Sequence, residues 1–277
     1  MSAGERVLLV TPTLGSSPHL AASVASVASL SLPIRHLVVA PPERVAEVRR
    51  RFPHAEAVGD RGPEGGLYGA LNAALDAARG EWDWFTYLND DDLLLPGFAA
   101  MVRRHTARAG REPVAYGDVE MIREDGLRLA RVTTERSPSW IPALLQQGIS
   151  PLMQQGMAID RATVARLGGF DTRYRLCADL DFWLRALASG CRFRHHALPV
   201  AQFRLRAGQL SSDTALTMRE QDEIVRRHLP ARLPAPARLV ARWRYRLLNL
   251  PRYWGRVRRL GPRRSYEILA SGAGPRR

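Results

Sequence analysis

The sequence predicts an α/β fold, a mixed sheet flanked by helices, and three observations carry that expectation. Short apolar runs alternate with helical segments through the first hundred residues, the βαβ rhythm that sets parallel strands side by side under covering helices. Gly and Pro cluster at 59–66 and Pro again at 230, 234 and 236, where the chain turns. One apolar run, Trp84-Phe85-Thr86-Tyr87-Leu88, ends directly in Asn89-Asp90-Asp91-Asp92. That places hard oxygen ligands at the carboxyl end of a strand, where open α/β sheets bind their ligands.

Each element follows from a local signal. Val7 to Val10 reads as a buried strand, Leu20 to Leu30 as a helix rich in Ala, Ser and Val, His36 to Val39 as a second strand and Glu43 to Arg51 as a second helix. After the Gly-rich loop come a helix over Leu67 to Ala78, the strand Trp84 to Leu88, and a helix opened by Pro96. Val114 to Arg123 and Leu127 to Thr133 flank Glu124-Asp125-Gly126, whose Asp-Gly step favours a hairpin, so an antiparallel element joins the sheet there. Asp160 to Leu167 and Leu180 to Ala188 are helices stopped by Gly168-Gly169 and Gly190, and Arg192 to Phe203 returns as strand or loop.

With 277 residues, 45% of them hydrophobic, the chain can bury one large core, or one core and an appendage, and is too polar for a polytopic membrane protein. The net charge of +14 is concentrated in residues 226–277, which hold 15 Arg and a single acid, Glu267, so the body is neutral. Nucleic-acid enzymes carry basic charge around their clefts, so a neutral body with a cationic tail suits an anionic surface such as a membrane leaflet instead. In that tail Leu239, Trp243, Leu247, Leu250, Trp254 and Val257 recur at spacings of three and four among arginines. This is a basic amphipathic helix broken by Pro251, which either lies in an anionic membrane interface or packs on the domain. The expected division is a catalytic domain over 1–215 and an Arg-rich helical extension over 216–277.

All 41 basic residues are Arg, a bias we read as that of a GC-rich bacterial genome, since no local chemistry excludes Lys everywhere. Cys177 and Cys191 lack CxxC spacing and the seven His lack HxxxH pairing, which argues against a zinc or dithiol site and for a reducing compartment. The run Val7-Leu8-Leu9-Val10 is too short for a signal-peptide core, and no stretch approaches the ~18 apolar residues of a membrane span. The expected location is the cytoplasm, with the inner membrane face as a peripheral site.

Five motifs follow one another along the chain: PEGGLYGALNAAL (63–75), YLNDDDLLLP (87–96), YGDV (116–119), GGFDTRY with ADLDFWLR (168–185), and FRLRAGQLSS (203–212). Together they resemble family 2 inverting glycosyltransferases of the GT-A fold, particularly bacterial members that build cell-surface polysaccharides. The resemblance covers roughly residues 5–215. It implies a sugar-nucleotide donor, a glycan or polyprenyl-linked acceptor, and Mn2+ or Mg2+ bridging the diphosphate as the glycosidic bond breaks. By the same resemblance Asp91 takes the metal-ligand position with Asp92 as an auxiliary ligand, and Asp90 and Asn89 lie near the donor. Asp179 matches the general base that deprotonates the acceptor hydroxyl. Asp181 is open to a catalytic role or to starting the helix DFWLRAL as an N-cap.

Further positions carry over. Thr11, Pro12 and Thr13 match the nucleotide-facing turn after the first strand, or form an ordinary Thr-Pro turn. Glu64, Tyr68 and Asn72 match the loop and helix that face the donor, with Tyr68 also open to a core position. Gln154 and Gln155 stand near the sugar, and Trp183 is either an acceptor platform or a core anchor. Three departures stand out: Val38-Val39-Ala40-Pro41-Pro42-Glu43-Arg44 lacks the usual acidic base-reading turn, Gly69 stands where Asp is frequent, and Arg206 where His is common. Arg206 could hold the diphosphate and share the metal's role. The other readings are a sugar-nucleotide-binding or scaffold protein of the same fold without activity and, against the charge map, a nucleic-acid-binding protein.

Overall fold

A computed structural model describes residues 4–62, 65–78, 81–206, 209, 213–251 and 254. The first half alternates as β1 (Val7–Pro12), α1 (Leu20–Ala28), β2 (Ile34–Ala40), α2 (Val45–Arg51), β3 (Glu56–Gly59), α3 (Gly66–Ala77) and β4 (Trp84–Tyr87). Then come β5 (Leu93–Leu94), α4 (Pro96–Thr106), β6 (Val114–Arg123), β7 (Arg128–Val132), α5 (Ile141–Leu145), β8 (Met157–Asp160), α6 (Arg161–Leu167), α7 (Ala178–Ala188), β9 (Phe193–Leu205), α8 (Thr214–His228) and α9 (Ala235–Leu248).

The strands form one mixed sheet in the order β3-β2-β1-β4-β8-β6-β9-β5, with β7 paired to β6. β1 lies between β2 and β4, parallel to both, and all six of its residues are buried. Side chains alternate across a strand: Leu8 and Val10 join a core with α3 and α7, while Val7 and Leu9 join a second core with α4. A continuous apolar run, rather than an alternating one, is what a strand covered on both faces requires. β8 runs antiparallel to both β4 and β6, and β6 pairs in parallel with β9. Two reversals cancel. The carboxyl ends of β1, β4, β6 and β9 therefore reach one edge together with the chain entering β8, and everything discussed below gathers there.

Local chemistry explains the expected turns. At the β6–β7 hairpin Asp125 accepts from the Leu127 N–H and Gly126 takes φ +85°. Asp160 caps α6 by accepting from the Thr163 N–H, and Gly168 ends it in the left-handed region. β3 was not expected: Glu56-Ala57-Val58-Gly59 is short, carries no buried residue and owes its existence to pairing with β2. α7 begins at Ala178, two residues before the apolar pattern starts, which places Asp179 inside its first turn.

The extension is joined to the body. Ile224 of α8 is fully buried, and α9 sets Ala241 and Tyr245 against Ala143 and Leu144 of α5. Arg244 pairs with the buried Glu135 at 2.6 Å. The Asn249 amide donates to Thr133 O and accepts from Thr133 N, both at 3.0 Å, as an adjoining strand would. α9 ends at Leu248, ahead of Pro251; Val257 and the remainder of the expected tail helix lie outside the described residues.

Candidate active site

The acidic turn after β4 is held from three sides. Thr13, just past β1, donates its hydroxyl to Asp90 at 2.5 Å, Ser17 donates to the Asp90 carbonyl, and Ser23 of α1 donates to the Asn89 carbonyl. Burial raises the Asp90 pKa. Asp92 is fully buried: Oδ1 accepts from the Arg204 N–H at 2.9 Å, and Oδ2 from Gln155 Nε2 at 2.9 Å and Asn89 Nδ2 at 3.2 Å. Burial and the neighbouring charge of Asp91 push its carboxyl up to about 7. Asp92, expected as an auxiliary metal ligand, has both carboxyl oxygens engaged in bracing the turn.

Asp91 points the other way. Its Oδ2 accepts from Arg206 Nε at 2.5 Å, and Oδ1 has no hydrogen bond among the described residues. The backbone beneath is fixed by Arg204, whose buried guanidinium donates to the Asp91 carbonyl at 2.8 Å and to the Glu124 carbonyl at 2.9 Å. The sequence reading named Arg206 and missed Arg204. Alternation along β9 supplies the signal, since residues two apart in Phe203-Arg204-Leu205-Arg206 share a face.

The second carboxylate is Asp179. Its Oδ1 accepts from the Leu180 N–H at 2.8 Å and from the Tyr68 hydroxyl at 3.1 Å; that hydroxyl also lies 2.9 Å from the Leu176 carbonyl. Burial raises the carboxyl to about 6, against the pull of these donors and with a further upward push from the charge of Glu220. Glu220, from α8, accepts from the Arg175 N–H at 2.8 Å and from the Leu176 and Cys177 N–H groups at 2.9 Å each. It thereby fixes the loop that delivers Asp179. Nothing near Glu220 in the sequence announces this contact, which spans more than forty residues. Tyr87 lies between the two centres: burial, then the charges of Asp179 and Asp92, hold its phenol well above the ordinary value.

Other expected residues take supporting places. Thr11 hydrogen-bonds His36 at 2.8 Å inside the sheet, and Pro12 is buried at the end of β1. Tyr68 is buried and serves Asp179. Asn72 donates to the Phe170 carbonyl at 2.8 Å and accepts from its N–H at 2.9 Å, tying α3 to the GGFD loop. That loop passes so close that a Cβ on Gly169 would lie 2.6 Å from Asn72 Oδ1, at φ +82°. Gln154 donates to the Tyr87 carbonyl, and Gln155 to Asp92. Trp183 is buried against Phe182 and Phe193, which selects the core anchor over the acceptor platform. Asp181 neither caps α7 nor faces the site: it is buried, pairing with Arg185 at 2.7 Å and His228 at 2.8 Å. Glu64 lies outside the described residues.

No group of three or more His, Cys, Asp or Glu side chains poised for a metal occurs among the described residues. The donor set nevertheless fits one kind of ion. Mg2+ and related cations are commonly held by one or two carboxylates with substrate phosphates completing the shell, and Asp91 offers an unengaged oxygen at the sheet edge.

This mixed sheet, with an acidic turn at one edge and a second carboxylate on a neighbouring helix, has the fold of solved glycosyltransferases. Among solved structures the chain is similar to the mannosyltransferase PcManGT from Pyrobaculum calidifontis in complex with GDP-Man and Mn2+ (TM-score 0.62, 16% identity, covering 97% of this chain and 79% of that one). It is also similar to S. aureus TarS 1-349 in complex with UDP-GlcNAc (TM-score 0.57, 14% identity, 98% and 93% covered). At these identities the likeness establishes the fold. No family profile and no curated protein sequence matches the chain.

Proposed function

We propose that the protein is an inverting, metal-assisted glycosyltransferase of family 2 type, transferring a sugar from a nucleoside-diphosphate donor to a hydroxyl of a glycan or polyprenyl-linked acceptor in bacterial surface-polysaccharide synthesis. The observation that carries this reading is the pair of differently placed carboxylate centres, Asp91 against Arg206 and Asp179 against Tyr68 and the Leu180 N–H. Asp91 stands at the sheet edge beside Arg206, while Asp179 is held apart from it, half-buried in the first turn of α7, with its carboxyl at about 6. A base with that pKa is ionised at neutral pH and still accepts a proton readily. In the transfer, Asp179 takes the acceptor proton as the acceptor oxygen bonds the anomeric carbon. The carbon–oxygen bond to the diphosphate breaks on the opposite face, and its electron pair leaves with the nucleotide. Arg206 meets the charge that develops on the diphosphate. A divalent cation held by Asp91 would add Lewis-acid stabilisation of the same charge.

The ligands of PcManGT and TarS, GDP-Man with Mn2+ and UDP-GlcNAc, support a nucleotide-sugar donor and a divalent ion while differing in base. The turn Pro41-Pro42-Glu43-Arg44 brings no carboxylate of the familiar base-reading kind; it forms a short 3-10 helix whose Arg44 packs on Gly15. That departure favours the second reading, a sugar-nucleotide-binding protein without transferase activity. Among the described residues no helix is long and apolar enough to cross a membrane.

Thermal unfolding with UDP, GDP, dTDP and CDP, each with and without Mn2+, tests the donor site. One nucleotide is expected to stabilise the protein in a metal-dependent way, by about 2.7 kcal/mol at a hundredfold excess over its Kd. Asp91→Ala should lose that shift. Asp179→Asn should keep it and lose transfer, and equal loss in both variants would overturn the division of roles. A nucleotide shift in wild-type protein that transfers to no acceptor would move weight to the inactive reading.

A further inference from the structure

α9 turns one stripe inward and another outward. Ala241, Tyr245 and Asn249 are buried against the body, whereas Leu239, Val240, Trp243 and Leu247 are 53–61% exposed, and Leu250 and Trp254 continue the outward stripe at 44% and 67%. Together with Arg244 the first four line an open groove. An apolar strip of this size, left in water on a helix that is already docked, marks an interaction surface. Its charge narrows the occupant. Residues 226–254 contain eight Arg and no acid. Arg242 and Arg246 flank the stripe, the latter with its guanidinium 5.5 Å from the Trp243 ring centre. Neither pairs with a carboxylate among the described residues.

A second copy of the chain would oppose this face with the same positive charge. Residues 255–277 bring seven more Arg against one acid, so they repel the face rather than complete it. The partner must be anionic and apolar in one plane, which describes the headgroup and acyl boundary of an acidic leaflet. We propose that the outward face of α9 docks the protein on an anionic membrane, with Trp243 and Leu247 at the acyl boundary and Arg242 and Arg246 on lipid phosphates. The docking does not depend on catalysis and would hold for a protein without transferase activity.

The experiment is co-sedimentation of the full chain with phosphatidylcholine vesicles, with and without phosphatidylglycerol, in parallel with the nucleotide thermal shift. Binding is expected only to the acidic vesicles, with a blue shift of Trp fluorescence and weakening at high salt. The doubly substituted Trp243→Glu, Leu247→Glu variant should bind at least about tenfold more weakly, with unchanged melting temperature because both positions are exposed. Arg242→Gln with Arg246→Gln should lower affinity for acidic vesicles and leave the fold intact. Undiminished binding by the Glu variant would assign attachment to residues 255–277 and overturn the role of α9. So would absence of vesicle binding, or a wild-type dimer that the Glu variant abolishes.

Discussion

Asp179 and Asp181 occupy the same first turn of α7 and differ entirely in what surrounds them. Asp179 is partly exposed and accepts from Tyr68 and Leu180, while Asp181 is buried between Arg185 and His228. Asp179→Asn keeps the oxygen that takes both hydrogen bonds and removes the proton acceptor, so transfer should vanish without loss of stability. The linkage supports this: a carboxyl raised from 3.8 to about 6 costs the fold above pH 6, and the cost is relieved as pH falls through 6 towards the unfolded value. Asp181→Ala removes the buried carboxylate that pairs with Arg185 and hydrogen-bonds His228 and should cost about 3 kcal/mol in a urea melt, with residual activity following the folded fraction. For the wild type, kcat/KM should fall about tenfold per pH unit below about 6 as the base is protonated. A flat profile from pH 7 to about 5 would remove Asp179 from the chemistry. At this scale the acidic turn was legible as a candidate site, because clustered acids after a buried strand are costly without a purpose, whereas Asp179 was named only by resemblance. The facing of each side chain was not. Asn89 to Asp92 form a tight turn in which successive residues point in different directions, so Asp91 and Asp92 could be told apart only once Arg204, Gln155 and Arg206 were in place.

Helix α8 shows how an element remote in sequence completes a site. Its buried Glu220 gathers three consecutive backbone N–H groups of residues 175–177, each charge-assisted bond contributing about 1.5–3 kcal/mol. It thus positions Asp179 without touching it. Glu220→Gln keeps one acceptor oxygen and sets an amide NH2, itself a donor, against the backbone N–H that the other oxygen accepted, which should loosen the loop. We expect kcat to fall about tenfold, since small misplacements of a reacting group are costly, while the nucleotide-induced thermal shift persists. Removal of the Glu220 charge should also move the acidic limb of the pH profile below about 6. A purely structural role would lower stability and leave that limb in place. Other elements were legible to the extent that their signals are local: the Asp125-Gly126 hairpin, the Asp160 cap and the Gly168 stop all lie where the residues announce them. β3 and the early start of α7 were not, because pairing with β2 decides the first and the loop held by Glu220 the second.

Across the whole molecule, composition and packing divide the chain differently. Charge separates a neutral body from a cationic tail within the 216–277 extension, yet α8 supplies Glu220 and His228 to the loop and helix of Asp179. α9 in turn is clamped to the body by Arg244–Glu135 and by the Asn249 amide on Thr133. We therefore expect residues 4–251 to unfold as one cooperative unit, seen in calorimetry as a single transition with calorimetric and van't Hoff enthalpies in agreement. Nucleotide should move that transition as a whole. Asn249→Ala removes both hydrogen bonds to the half-buried Thr133 N–H and carbonyl, which should cost about 1–3 kcal/mol. The loss falls on the α9 attachment alone, so the variant should show α9 detaching as a low-temperature shoulder while the main transition and its nucleotide shift remain. Two transitions in the wild-type protein, only one of them moved by nucleotide, would instead make the extension an independently folding appendage, and the sheet with its own helices would then have to hold Asp179 without α8.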